Sequence, residues 1–113
     1  MLKKAHRISN QRLIIKLSKQ GKTYKTRWFV FKFLPALGVE SQFALSISKK
    51  VASKAVVRNK LKRQIYESIK RHLPLPQPMV CLIFVKKEIP EKRDFSDIET
   101  QIRQFINHFP SNV

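Results

Sequence analysis

A chain of 113 residues with 24 Lys and Arg against seven Asp and Glu carries a formal charge of +17. That length suits a single domain over 1–113, and 42% hydrophobic residues with eight Phe suffice for a core, whereas two Gly and six Pro argue against low complexity. The charge destabilises a compact state by self-repulsion, so an anionic partner is expected; no run nears about 18 apolar residues and no apolar N-terminal signal stands out, so a soluble, cytoplasmic protein without membrane contact is expected.

Taken in chain order, Ser9 is placed to cap a short helix to about Lys19, with Leu13, Ile14 and Leu17 on one side and Gly21 as its stop. Arg27 to Phe33 reads as a strand bounded by Pro35. Its alternation sets Phe29, Phe31 and Phe33 on one face and Trp28, Val30 and Lys32 on the other. Phe43, Leu45 and Ile47 form a second alternating set, backed by Ala44, Ser46 and Ser48. The two sets together predict a sheet with one apolar face and one small, polar and partly basic face.

From Ser53 or Lys54 to His72 the period changes. Val57, Leu61, Ile65 and Ile69 recur every four residues as one helical stripe, and Pro74, Pro76 and Pro78 end it. Met79 to Val85 is continuously apolar, which suits a central strand covered on both sides, and the lone Cys81 within it reads as core. Phe95, Ile98, Ile102, Phe105, Ile106 and Phe109 fall at helical spacing, with Asp94 or Ser96 as N-cap. The order predicts an α+β sandwich.

Charge is unevenly spread. Residues 1–87 hold 21 Lys and Arg against Glu40 and Glu67, and the other five acids fall between Glu88 and Glu99. Lys49 to Arg71 alone carries nine cations with Glu67 as the sole acid. A solvated helix face normally alternates signs; this one does not, and cations spaced along a helix neutralise phosphates and release counterions. Arg58 projects into or beside the apolar stripe, where a guanidinium needs partners, and its fork suits a phosphate. Trp28 is a candidate for core packing or for stacking on a base. The histidines His6, His72 and His108 are scattered and read as surface residues. A protein-borne nuclease would need acids or histidines placed for metal or proton transfer, and the chain offers no such set.

Ala44-Leu45-Ser46-Ile47-Ser48-Lys49-Lys50-Val51, followed by Ala55-Val56-Val57-Arg58-Asn59-Lys60-Leu61-Lys62-Arg63, closely resembles the signature of the bacterial ribonuclease P protein subunit, a strand ending in Ser-Lys-Lys that leads into a helix bearing Arg-Asn-x-x-Lys-Arg. Arg7-Ile8 and Gly21 resemble the family's N-terminal region. The resemblance implies a two-layer α-β sandwich of order αβββαβα, with a mixed four-stranded sheet and a left-handed βαβ crossover, against the usual hand. It implies that a catalytic RNA subunit, which holds the magnesium ions, removes the 5′ leader of precursor tRNA endonucleolytically, while one protein per RNA raises substrate affinity and eases the magnesium requirement. No metal, cofactor or catalytic residue is implied on the protein. The RNA-binding residues implied are Lys49, Lys50, Arg58, Asn59, Lys60, Lys62 and Arg63. The leader cleft is expected to involve Arg7, Ile14, Ser18, Trp28, Lys32, Ser46, Ser48 and Tyr66.

The chain departs from its relatives in three places. Tyr66-Glu67 stands where the family often has Arg-Glu, and Ala52-Ser53 replaces a Gly after the Lys-Lys-Val step. Ile14, Ser18 and Lys32 occupy positions where relatives commonly have cleft aromatics, so leader binding is expected to rely on charge. A ribosomal or RNA-chaperone protein and a DNA-binding architectural protein are the alternative readings.

Overall fold

The computed structural model describes residues 6–8, 10–36, 40–75 and 77–108. Seven elements follow in the order α1 (Gln11–Gln20), β1 (Lys22–Lys25), β2 (Phe29–Pro35), β3 (Gln42–Ser46), α2 (Ala55–Lys70), β4 (Met79–Val85) and α3 (Phe95–His108). The strands form one mixed sheet, β1-β2-β4-β3. β1 and β2 make an antiparallel hairpin, β2 and β4 are antiparallel, and β3 runs parallel to β4 with α2 as the crossover. This is the expected α-β sandwich of order αβββαβα.

Period-2 alternation decides the core. Phe29, Phe31, Phe33, Phe43, Cys81, Ile83 and Val85 point to one face and are buried under α2 and α3. Leu61, Ile65 and Ile69 supply the α2 stripe, and Ile98, Ile102, Phe105 and Ile106 that of α3. Phe105 stacks on Phe31 with centroids 4.1 Å apart and planes 6° from parallel, and meets Phe33 edge-on at 5.2 Å. Such aromatic pairs add about 0.5–1.5 kcal/mol beyond the area they bury. Burial pushes the Cys81 thiol well above its ordinary value, as expected of a packing residue.

Among the described elements the opposite face carries α1 alone, which lies against β4 and β2. Leu17 is fully buried there on Ala44, Val80 and Leu82, with Leu13 and Ile14 beside it. The cap of α1 is Asn10, whose Oδ1 accepts the Arg12 N–H at 2.9 Å; the expected cap, Ser9, lies outside the described residues, as do Pro76 and Phe109. Gly21 does end α1, its N–H reaching the Leu17 carbonyl at 3.0 Å. A Cβ on Gly21 would come within 2.5 Å of that same oxygen and 3.2 Å of the Phe33 nitrogen, so the turn from α1 into β1 admits no side chain without a backbone shift.

Candidate nucleic-acid interface

The sheet face that α1 leaves partly open is built by register. Lys32 of β2, Leu82 of β4 and Ala44 of β3 are successive partners in one row, with Thr23 of β1 beyond Lys32. Lys25, Val30, Phe84 and Ser46 form the next row. Where this face meets α1 there is a groove of about 460 Å³, walled by Ile14, Ile15, Ser18 and Lys19 and floored by Ala44, Ser46, Leu82 and Phe84. Its floor is apolar with a half-buried aromatic ring, and Ser18 and Ser46 add hydroxyls. Lys32 stands in the row beside Phe84. A surface of this kind offers a face for stacking and a cation for phosphate, the two ingredients of single-strand binding.

Of the eight residues expected in a cleft, Ile14, Ser18 and Ser46 line this groove, and Lys32 shares its sheet face. Four lie elsewhere. Trp28 precedes β2 in the hairpin bend, so strand alternation does not reach it; it is 5% exposed in the core under α3. Its backbone N–H donates to Gln101 Oε1 at 2.7 Å, and its carbonyl accepts from the Lys86 backbone N–H at 2.8 Å. Tyr66 is 4% exposed and packs into the same core from α2. Burial raises its phenol's pKa, partly countered by the Arg7 cation, and the Lys62 ammonium sits 5.8 Å from the ring centroid. Arg7 bridges in parallel to Phe43 and so shares that residue's face, beside Tyr66 and away from the groove. Ser48 lies past the end of β3, where its carbonyl accepts the N–H groups of Val51 and Ala52 and forms the turn toward α2.

Phe84 is hidden in the sequence because all seven residues of β4 are apolar, which erases alternation; only pairing with Val30 and Ser46 assigns its side. The groove therefore has an aromatic after all, on β4 rather than at the positions where relatives carry theirs.

The cationic residues gather at the β3–α2 connection and the first turns of α2. Lys49 and Lys50 are exposed in the turn, and Asn59, Lys60 and Arg63 are exposed along the helix. Arg58 is half-buried and folds back, Nη1 donating to the carbonyls of Ala52 and Ser53 at 2.8 Å each. It fixes the connection that presents Lys49 and Lys50, where the family's Gly is missing. Lys54 sits at the N-cap without a side-chain hydrogen bond.

The histidines, expected as surface residues, all make contacts: the His108 ring lies 4.5 Å from that of Tyr24, and the other two are hydrogen-bonded. His72 Nε2 donates to Glu99 Oε1 at 2.6 Å, while Ser68 Oγ donates to Glu99 Oε2 at 2.6 Å, a polar seam between α2 and α3. His6 Nδ1 is 2.8 Å from the carbonyl of buried Ser41, whose Oγ accepts the Met79 N–H at 3.0 Å. Among the described residues no group of three or more His, Cys, Asp or Glu is placed to hold a metal ion, and no helix is long and apolar enough to cross a membrane.

A basic α-β sandwich with a packed face, a grooved face and a cationic crossover helix is the class of protein that these features define. The chain belongs to the ribonuclease P protein family: the Ribonuclease P family model matches residues 2–109. It is 36% identical over 77 residues to the ribonuclease P protein component of Picosynechococcus sp., covering 68% of this chain and 66% of that one. With the component from Rickettsia canadensis it shares 28% over 109 residues, covering 88% and 92%. Its fold matches the ribonuclease P proteins of Thermotoga maritima (TM-score 0.81, 24% identity, 90% and 96% coverage) and of Staphylococcus aureus (TM-score 0.83, 23% identity, 95% and 90% coverage, for a mutant with defective mRNA degradation activity). The family serves tRNA processing as the protein component that works with an RNA subunit, and the ribosomal and DNA-architectural alternatives fall away.

Proposed function

We propose that this protein is the non-catalytic subunit of ribonuclease P and grips two RNAs with two surfaces. The β3–α2 connection and the exposed side of α2, through Lys49, Lys50, Asn59, Lys60, Lys62 and Arg63, dock on the catalytic RNA, with Arg58 positioning the connection. The groove between α1 and the open sheet face takes the unpaired 5′ leader of precursor tRNA, a base lying on Phe84 and the backbone passing Lys32. Magnesium belongs to the RNA subunit; the protein's cations screen phosphate repulsion and lower the concentration of ions that cleavage needs. One protein per RNA subunit, acting in the cytoplasm, completes the reading.

The observation that carries it is the unequal covering of the sheet, with an aromatic and a lysine left on the open side. The test is reconstitution with the cognate catalytic RNA at low magnesium. Adding the protein speeds cleavage of a precursor carrying a leader and does less for one with the leader trimmed away. Arg63→Ala weakens binding of the catalytic RNA and flattens its salt dependence by about 0.7–0.9 in log–log slope for each phosphate that is no longer neutralised. Equal acceleration with and without a leader would remove the groove from the reading, and unchanged RNA binding would remove α2.

A further inference from the structure

A second groove lies between α2 and the β4–α3 connection. Val56, Lys60 and Gln64 recur at helical spacing along one stripe of α2, and the β4–α3 connection around Glu91 and Lys92 faces them across a space of about 270 Å³. That wall is held in place. Arg93 Nη1 donates to the carbonyls of Pro90 and Glu91 at 3.2 and 3.0 Å, and its Nη2 donates to Gln64 Oε1 at 3.2 Å. The loop thus curls around its own guanidinium and is clipped to α2. Arg93 Nε is buried with no hydrogen-bond partner among the described residues, a cost set against the three bonds its other nitrogens make.

The lining is unusual as well. Val56 is 78% exposed, and with Ile15 at 50% it is one of two exposed large hydrophobic side chains among the described residues. Each of the two lines a groove. A single exposed valine is ordinary, and β-branched side chains are not favoured in helices. The same space, however, is lined by Lys60 from α2 and by Glu91 and Lys92 from the β4–α3 connection. Lys60 also belongs to the α2 face assigned to the catalytic RNA, so a strand following that face reaches the groove without a break.

We propose that this groove seats one nucleotide of the catalytic RNA, its sugar or base against Val56 and its phosphate between Lys60 and Lys92. The inference rests on the assignment of α2 to that RNA and extends the binding surface to the β4–α3 connection. The space is below the roughly 300–1,000 Å³ of a drug-sized pocket, so it admits part of one nucleotide and not a folded element. Glu91 is an acceptor, which suits a ribose 2′-hydroxyl or an exocyclic amine and disfavours a second phosphate.

The holoenzyme provides the test. Lys92→Ala and Val56→Asp, both at exposed positions, leave the thermal melt of the free protein unchanged. Each weakens binding to the catalytic RNA several-fold, and Lys92→Ala lowers the salt slope by about one. Ribose-directed probing of the RNA at saturating protein shows a nucleotide protected by the parent and by Arg63→Ala but exposed with Val56→Asp and Lys92→Ala. If Arg63→Ala weakens binding while both groove variants bind and protect like the parent, the seat is overturned and the α2 assignment stands. If all three bind like the parent, the α2 assignment falls and the seat with it.

Discussion

The two faces of this sheet are made by the same strands and have opposite fates. On one, Phe29, Phe31, Phe33 and Phe43 are sealed beneath α2 and α3. On the other, α1 covers Ala44, Val80 and Leu82 with its buried Leu17 and leaves Phe84 and Lys32 at the margin. One aromatic set spends its surface on folding, whereas Phe84 keeps part of its ring available. The difference teaches that aromatic content alone does not identify a stacking platform; what matters is which residues a helix covers.

The largest effect should come from the sealed face. Phe105→Ala removes the stacking partner of Phe31 and the edge-on neighbour of Phe33, and should cost about 3–5 kcal/mol. Against a total stability of roughly 5–15 kcal/mol for a domain, that leaves a protein close to unfolding. Denaturant melts of the free protein measure it. A change below about 1 kcal/mol, well short of the usual large-to-small core cost, would mean that the two faces do not differ as described.

Phe84→Ala sharpens the contrast. Its effect on stability should be smaller than that of Phe105→Ala, because the ring is only half-buried. Its effect on precursor binding should be about 1–3 kcal/mol, the usual worth of one stacked base, and Phe84→Trp should retain binding. Affinity for the catalytic RNA alone should not change. Competition between precursors with long and trimmed leaders separates these quantities. An equal weakening for both precursors would place Phe84 outside the leader path.

These predictions rest on residues that are not equally legible. The Phe29-Phe31-Phe33 alternation, the four-residue stripe of α2 and the spacing in α3 are readable because one side of each element is apolar and the other is not. Phe84 is unreadable because β4 is apolar on both faces, and side is then decided by pairing. Trp28 misleads because alternation stops one residue short of it, at a bend that Thr26 and Gln101 organise through hydrogen bonds. Tyr66 misleads through the resemblance. A long cation can reach solvent from such a place, but a phenol beside Ile65 gains more by burial, with Lys62 over its ring and the Arg7 charge acting on its hydroxyl. Arg58 is legible as a residue that needs partners, but the carbonyls that supply them belong to the loop behind it.

The smallest predicted effect lies in the polar seam of the sealed side. Burial pushes the Glu99 carboxyl up, but hydrogen bonds from Ser68 and His72 and the positive charges of His72 and Arg71 together outweigh it, so its pKa falls below the ordinary carboxylate value. A carboxylate held low in the folded state stays ionised where the unfolded chain already binds a proton. Its stabilisation is therefore complete above the ordinary carboxylate range and is lost as the pH falls through that range to the lowered value. Glu99→Gln keeps the shape and removes the charge, and should cost about 1 kcal/mol at neutral pH, the net worth of a typical intramolecular hydrogen bond. The gap between parent and variant should close as the melts are carried into acid. A gap that stayed constant would assign Glu99 a packing role only, and the seam would then join α2 to α3 by shape and not by charge.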